Sequence, residues 1–168
     1  MMHFKISVDT IFNCSLERAF KTPMLCDVTK VHTGYGLMPA IIAVADDQNW
    51  GQPGSSKRVF ASKSLTFPGG EVSTDTVRER IENKYWKIEV NDFKSWMLGF
   101  YSFIGEWRTE EIEPEVIKVN YTYTLYSNGL LLYPLQYLFA QLFWKKYMKH
   151  AMEKIRKMAY EGEPYMYP

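Results

Sequence analysis

The sequence is poor in the residues that mark several large classes of protein. It has only two cysteines, Cys14 and Cys26, which are too few for a disulfide scaffold and lack the spacing of a metal site. Its 20 basic and 19 acidic side chains leave a net charge of +1, so the strong positive field typical of nucleic-acid-binding proteins is missing. We therefore expect two reduced thiols and no nucleic-acid partner.

Long apolar runs are also missing. The longest candidate, residues 130–144, is interrupted by Pro134, Gln136 and Gln141 and falls short of the ~20 apolar residues that a membrane span needs. The first residues alternate between apolar and polar types and contain no apolar core of a secretory signal. These two observations predict a cytoplasmic protein without a membrane anchor.

Aromatic residues, in contrast, are abundant. The 12 Tyr, 10 Phe and 5 Trp make up 16% of the 168 residues, and such side chains fill cores and line apolar ligand pockets. The chain has the length of one domain and shows no internal repeat or linker, which predicts a single domain over 1–168 with a short tail from about residue 161.

The first third of the chain predicts one strand followed by two short helices. Residues 4–12 are rich in β-branched types and predict the strand. Ser15 can cap a short helix that Pro23 ends, and a second short helix is predicted over 24–31.

From residue 37 the apolar pattern changes to a period of two. Strands separated by short turns are predicted over 37–46, 57–65, 71–81, 85–90, 96–107 and 116–126, with 109–115 as a polar turn. Short connections require antiparallel pairing. A long amphipathic helix is then predicted over 131–160, with Pro134 in its first turn.

The order of these elements and three short motifs resemble the helix-grip superfamily known as SRPBCC, which includes START-related lipid-transfer proteins, polyketide cyclases and plant pollen allergens. Residues 15–22 (SLERAFKT) are similar to its first helix, and 51–59 (GQPGSSKRV) to its glycine turn before a strand. Residues 77–90 (VRERIENKYWKIEV) are similar to its strand pair, although Ile88 stands where a second aromatic residue is usual. The resemblance implies an α+β fold, in which a curved antiparallel sheet of about six or seven strands wraps around the C-terminal helix.

The same resemblance implies a ligand chamber between the sheet and the helix. Period-two alternation predicts which strand residues face it, and the helical stripe predicts its roof. These candidate ligand-binding residues are Lys57, Val59, Ala61, Glu79, Trp86, Ile88, Val90, Val119, Tyr121, Tyr123, Leu135, Leu138, Phe139 and Leu142. The alternative is that these side chains fill the core completely and leave no chamber.

Lys57 and Glu79 are the two charged members of this set. If their faces are concave, they pair with each other or hold the polar end of a ligand, since an unpaired buried ion is costly. The alternation around Glu79 is irregular, and a shift of one residue would turn Arg80 inward instead. A solvated edge or a structural ion pair is the simpler interpretation of both charges.

Three functional hypotheses follow. The first is a protein that binds, and possibly carries, a hydrophobic small molecule or lipid without catalysis, cofactor or metal. The second is an enzyme of the polyketide cyclase or dehydratase type with Glu79 as proton shuttle, and the third is a protein-interaction module with a vestigial cavity.

Two further features have simple interpretations. His3, His32 and His150 have no companions at metal-ligand spacing, so no metal site is predicted. The basic stretch 145–157 could contact lipid headgroups transiently, with Phe143, Trp144 and Tyr147 at the interface. The simpler interpretation is a solvated face that complements the helix dipole.

Overall fold

One curved antiparallel sheet and one long helix make up most of the protein. The structure is a computed structural model that describes residues 2–168, so Met1 of the predicted domain lies outside it. In the described residues, eight strands pair in the order β1-β8-β7-β6-β5-β4-β3-β2. The strands are β1 (Met2–Asn13), β2 (Thr33–Tyr35), β3 (Met38–Ala45), β4 (Ser56–Ala61), β5 (Gly70–Ile81), β6 (Tyr85–Asn91), β7 (Phe100–Glu113) and β8 (Val116–Ser127).

The helices lie near the two places that the sequence predicts, but the first continues through Pro23 to Leu25 instead of ending at the proline. Helices α1 (Leu16–Leu25) and α2 (Val28–Val31) connect β1 to β2. The C-terminal helix begins after a 3₁₀ turn and has three consecutive parts: α3 (Tyr133–Leu138), a π-helical segment (Phe139–Trp144) and α4 (Lys145–Tyr160). Pro134 lies in the first turn of α3, where its missing N–H costs nothing.

Two tryptophans attach α1 to the sheet. The indole Nε1–H of Trp86 donates to the carbonyl of Phe20 at 2.8 Å, and that of Trp107 donates to the carbonyl of Ala19 at 3.0 Å. Phe20 also stacks on Trp86, with 5.0 Å between the ring centroids. These contacts close one end of the sheet.

The sheet has one strand more than predicted, and one strand is longer. The extra strand is the short β2, which pairs with β3 through Thr33 and Tyr35. Strand β7 continues through residues 109–113, where a polar turn was predicted. The prediction was wrong because the glutamates in this segment lie on exposed positions of a strand that still pairs with β8.

The predicted C-terminal tail packs against the first helix. The backbone N–H of Met166 donates to the carbonyl of Leu25 at 2.7 Å, and Arg18 donates to the carbonyl of Glu163 at 2.8 Å. Residues after α4 therefore form part of the surface that covers α1.

We predict that replacing Trp107 with phenylalanine lowers the free energy of unfolding by about 1–3 kcal/mol, because the buried carbonyl of Ala19 loses its donor. Trp96, which is 70% exposed, provides the control, and Trp96→Phe should leave stability unchanged. Chemical denaturation of the three proteins measures the difference. Equal stability of Trp107→Phe and the wild type would contradict the role of this hydrogen bond.

Candidate functional site

An apolar cavity of about 170 Å³ lies between the sheet and the C-terminal helix. Strands β3 to β8 form its wall, Trp144 and Tyr147 of the helix form its roof, and three loops surround its opening. The loop residues at the opening are Leu37, Thr66, Phe67, Phe93, Ser95, Trp96 and Met97. The helix is therefore held away from the sheet on this side, as the first hypothesis requires.

A second, smaller space of about 60 Å³ lies deeper, next to α1 and α2. Val28, His32, Asp75 and Tyr123 line both spaces, so the two adjoin. The deeper space is the more polar part of the site because Lys57 and Tyr121 also line it.

Lys57 is the most unusual group in the site. Its side chain is 4% exposed, and its ammonium lies 3.8 Å from the ring centroid of Trp50, a cation–π contact. Within residues 2–168, no carboxylate lies within 4.0 Å of this nitrogen. Burial lowers the pKa of Lys57 to about 8, although the carboxylates of Asp75 and Asp47 oppose the shift.

Asp75 lies opposite Lys57 in the pairing of β4 with β5. Burial raises the pKa of this carboxyl to about 6, even though Lys57 and a 3.4 Å hydrogen bond from Ser73 act in the opposite direction. The carboxyl therefore titrates close to neutral pH, in contrast to an ordinary aspartate.

His32 and three tyrosines complete the polar group. The imidazole of His32 hydrogen-bonds the hydroxyl of Tyr147, and burial, followed by the charge of Lys57, lowers the pKa of His32 to about 4. Burial raises the pKa of Tyr121, Tyr123 and Tyr147, so these hydroxyls stay protonated. At neutral pH, the site thus presents neutral donors around one lysine and one aspartate.

The cavity walls contain six of the predicted site residues. Lys57, Ile88 and Tyr121 line the deeper space, Val59 and Val90 line the outer one, and Tyr123 lines both. Four others lie in the packed interior without lining either space: Ala61, Trp86, Val119 and Phe139. On β4, β6 and β8, these side chains therefore lie on the face of the sheet that is turned toward the helix.

Glu79 lies on the outer face of the sheet and not in the cavity. Its carboxylate is exposed and pairs with Lys87 at 2.9 Å. The reason is a β-bulge between Val77 and Glu79, which inverts the alternation along β5. Arg80 turns inward instead, as expected for a shift of one residue, and its guanidinium lies 4.6 Å from the ring centroid of Trp86. Glu79 therefore cannot transfer protons in the cavity, and the prediction of a proton shuttle at this residue was wrong.

Three of the predicted roof residues face solvent. Leu135, Leu138 and Leu142 are about half exposed, whereas Gln136 and Ala140 are fully buried. A π-helical segment accommodates one residue more than the same length of α-helix, so the helix positions before and after it differ in phase. An apolar stripe that is extrapolated across this segment at 3.6 residues per turn therefore predicts the wrong buried face for α3.

Four cavity residues were not predicted from the sequence: Asp75, His32, Trp144 and Tyr147. Asp75 shares the period-two face of Val77 and could have been found by counting from that buried position. Trp144 and Tyr147 were considered as residues at a membrane interface, but both point into the cavity. His32 follows the four-residue helix α2, which carries no periodicity of its own.

Within residues 2–168, no group of three His, Cys, Asp or Glu side chains could hold a metal ion. In the same part of the chain, no helix is long and apolar enough to cross a bilayer.

Comparison with solved structures identifies the architecture. The protein Ara h 8.0201 superposes with a TM-score of 0.69 at 13% identity, and the alignment covers 95% of this chain and 99% of that one. A norcoclaurine synthase from Thalictrum flavum, solved in complex with dopamine and hydroxybenzaldehyde, gives a TM-score of 0.65 at 9% identity over 97% and 90% of the two chains. The protein has the helix-grip fold.

A third helix-grip structure, a protein from Thermus thermophilus, gives a TM-score of 0.65 at 10% identity and covers 95% of this chain and 99% of that one. No protein-family model and no curated protein sequence matches the chain. At such identities, the helix-grip fold is what these proteins share with this chain, and the fold alone does not determine function.

We predict that the wild type loses stability relative to its Asp75→Asn variant as pH rises from 3.8 through about 6. The folded-state pKa of about 6 lies above the ordinary value of 3.8, so the contribution of Asp75 to stability is complete below pH 3.8 and is lost as pH rises through 6. The stability difference between the two proteins should change by on the order of 1–3 kcal/mol over this range. Urea denaturation at a series of pH values measures it, and parallel curves would contradict the burial of this carboxyl.

The contribution of His32 to stability should change with pH in the opposite direction in the same experiment. Its folded-state pKa of about 4 lies below the ordinary 6.5, so its contribution is complete above pH 6.5 and is lost as pH falls through 4. Relative to His32→Gln, the wild type should therefore lose stability on acidification. A difference of the same sign as that for Asp75 would show that the imidazole does not lie in the site as described.

Proposed function

We propose that the protein binds a compact hydrophobic molecule in the cavity, with one oxygen-bearing end of the ligand directed at Lys57. The observation that carries this proposal is the buried lysine: it lines a cavity that joins an opening to the surface, and it has no carboxylate partner within 4.0 Å among residues 2–168. An ammonium in such a place gains from a ligand that supplies the missing acceptor.

The volume of the cavity limits the size of the ligand. About 170 Å³ in the outer space slightly exceeds the ~150 Å³ of an engineered cavity that accommodates benzene. The space therefore suits a single aromatic ring or a short acyl chain, which can extend through the opening between the loops. A lipid with two long acyl chains is too large for it.

The chemistry of the cavity walls fits a ligand that has an apolar body and one polar end. The outer space is lined by side chains such as Val59, Phe67 and Phe103, which contribute affinity by burying apolar surface. The deeper space presents donors from Lys57 and the tyrosines, which orient a carboxylate or carbonyl oxygen.

We predict that Lys57→Met weakens binding of 3-phenylpropanoate by about 10–100-fold, because a charge-assisted hydrogen bond contributes roughly 1.5–3 kcal/mol. Binding of the neutral analogue 3-phenylpropan-1-ol should change less than about threefold, since it depends mainly on apolar burial. Isothermal titration calorimetry at pH 7 measures both. Lys118→Met removes an exposed lysine on β8 and should bind both probes like the wild type.

This experiment tests the binding function and the role of Lys57 separately. If the wild type binds neither probe, the proposed binding function is wrong. If both probes bind but Lys57→Met retains full affinity for the anion, the cavity is a binding site and Lys57 is not its polar anchor.

Enzymatic activity of the cyclase or dehydratase type is a second candidate, because a carboxyl and an amine converge on the same space. Asp75 replaces Glu79 as the proposed acid or base, and its pKa of about 6 suits proton transfer near neutral pH. Lys57 or a tyrosine would polarise a carbonyl oxygen of the substrate. In the first step, Asp75 would take a proton from the carbon next to that carbonyl, which leaves an enolate.

We predict that the wild type, if it is such an enzyme, exchanges the α-hydrogens of 4-phenylbutan-2-one with D₂O faster than buffer does. Asp75→Asn should lower this exchange at least tenfold, because the amide cannot accept the proton. Proton NMR follows the loss of the α-hydrogen signals. Asp92→Asn, which changes an exposed aspartate, is the control. Exchange no faster than in buffer would reject this candidate and leave the binding function.

A further inference from the structure

One end of the molecule exposes an unusual amount of apolar surface. Seven large apolar side chains of residues 130–142 are exposed, and Leu131 is 98% accessible. They are Leu130, Leu131, Tyr133, Leu135, Tyr137, Leu138 and Leu142. Scattered single residues of this kind are ordinary, but Leu135, Leu138 and Leu142 recur at helical spacing, and an exposed apolar helix face marks an interaction surface.

The loops around the cavity opening extend this surface. Leu37, Leu65 and Trp96 are 59%, 97% and 70% exposed at their tips. Hydrogen bonds join these loops to the helix and to each other. Gln136 of the helix donates to the carbonyl of Leu98 at 2.7 Å, and Thr66 donates to the carbonyl of Leu37 at 3.0 Å.

The aromatic pair of Tyr35 and Phe143, with centroids 5.7 Å apart, connects the loop of Leu37 to the helix. The helix face and the loop tips therefore meet at the end where the cavity opens. We call this surface the apolar rim and define it by its exposed members Leu37, Leu65, Trp96, Leu135, Leu138 and Leu142.

Charge of one sign lies next to the helix part of the apolar rim, whereas Lys94, Asp92 and Glu71 pair beside the loop of Trp96. Residues 116–152 contain no aspartate or glutamate, and the helix continues from the apolar face into Lys145, Lys146 and Lys149. Lys146 and Lys149 are exposed. An apolar face flanked by lysines matches the interface of a bilayer that carries anionic headgroups. A symmetric contact with a second copy would place these lysines near their equivalents, where they repel.

We propose that the apolar rim docks reversibly on anionic lipid bilayers, with the opening of the cavity toward the membrane. The leucines and Trp96 enter the boundary between headgroups and acyl chains, and the lysines contact the headgroups. This contact is made by an amphipathic surface and requires no membrane span. A ligand that partitions into the bilayer then reaches the cavity without crossing water.

The test is co-sedimentation of the protein with vesicles of phosphatidylcholine containing about 30% phosphatidylserine, and with vesicles of phosphatidylcholine alone. The wild type should bind the anionic vesicles at least tenfold more strongly. The double variant Leu138→Glu, Leu142→Glu should lose at least tenfold of the partitioning into anionic vesicles. Lys146→Gln, Lys149→Gln should lower binding to the anionic vesicles alone. The double variant Ile81→Glu, Ile112→Glu is the matched control because it adds the same charge at side chains as exposed as Leu138 that lie at the far ends of β5 and β7.

Absence of wild-type binding to the anionic vesicles, or equal loss in the double isoleucine control and in the double leucine variant, would overturn the proposal. Sedimentation velocity without lipid tests the competing occupant: a dimer that the leucine variant dissociates would assign the apolar rim to a second copy. The outcome is independent of the proposed function, since the vesicle assay contains no ligand. The leucine variant should keep the circular dichroism spectrum and the denaturation midpoint of the wild type, which shows that it is folded.

Discussion

The packing of Trp144 against the sheet determines the rest of the site. Its ring lies between the helix and the concave face, with centroid distances of 4.9 Å to Phe103 and 5.4 Å to Tyr123. Side chains of this size keep the helix backbone away from β7 and β8, and the neighbouring space stays open because no equally large residue fills it. The cavity is thus the result of aromatic packing on one side of it.

A buried amine without a carboxylate partner among the described residues is the second feature that organises the site. The protein holds Lys57 above the face of Trp50, whose own Nε1–H donates to the carbonyl of Met24 at 2.7 Å. The ring supplies partial compensation for the lost hydration of the ammonium, and Asp75 across the strand pair supplies more. Neither is a direct ion pair, so the ammonium keeps N–H donors available toward the cavity. Such an arrangement is costly for stability, and this cost is typical of sites that act on ligands.

Much of the fold could be predicted from the sequence because it depends on local patterns. The cap at Ser15, the proline in the first turn of the last helix and the alternation in β6 and β8 each reflect short-range chemistry. The site was predicted less completely. A bulge in β5 and a π-helical segment each shift the phase of a regular pattern by one residue, and neither produces a signal in composition. Glu79 and the leucines of α3 were misplaced for this one physical reason, whereas Lys57 and Tyr123 lie on strands whose alternation matches the prediction.

The π-helical segment has a consequence for how this protein could diverge. Removal of one residue between Phe139 and Trp144 would restore an ordinary helix and rotate everything before it by about 100° relative to α4. The buried Gln136 would turn toward solvent, and a leucine would take its place against the sheet. A single-codon deletion would therefore alter the outer surface and the interior together. No single substitution produces both changes.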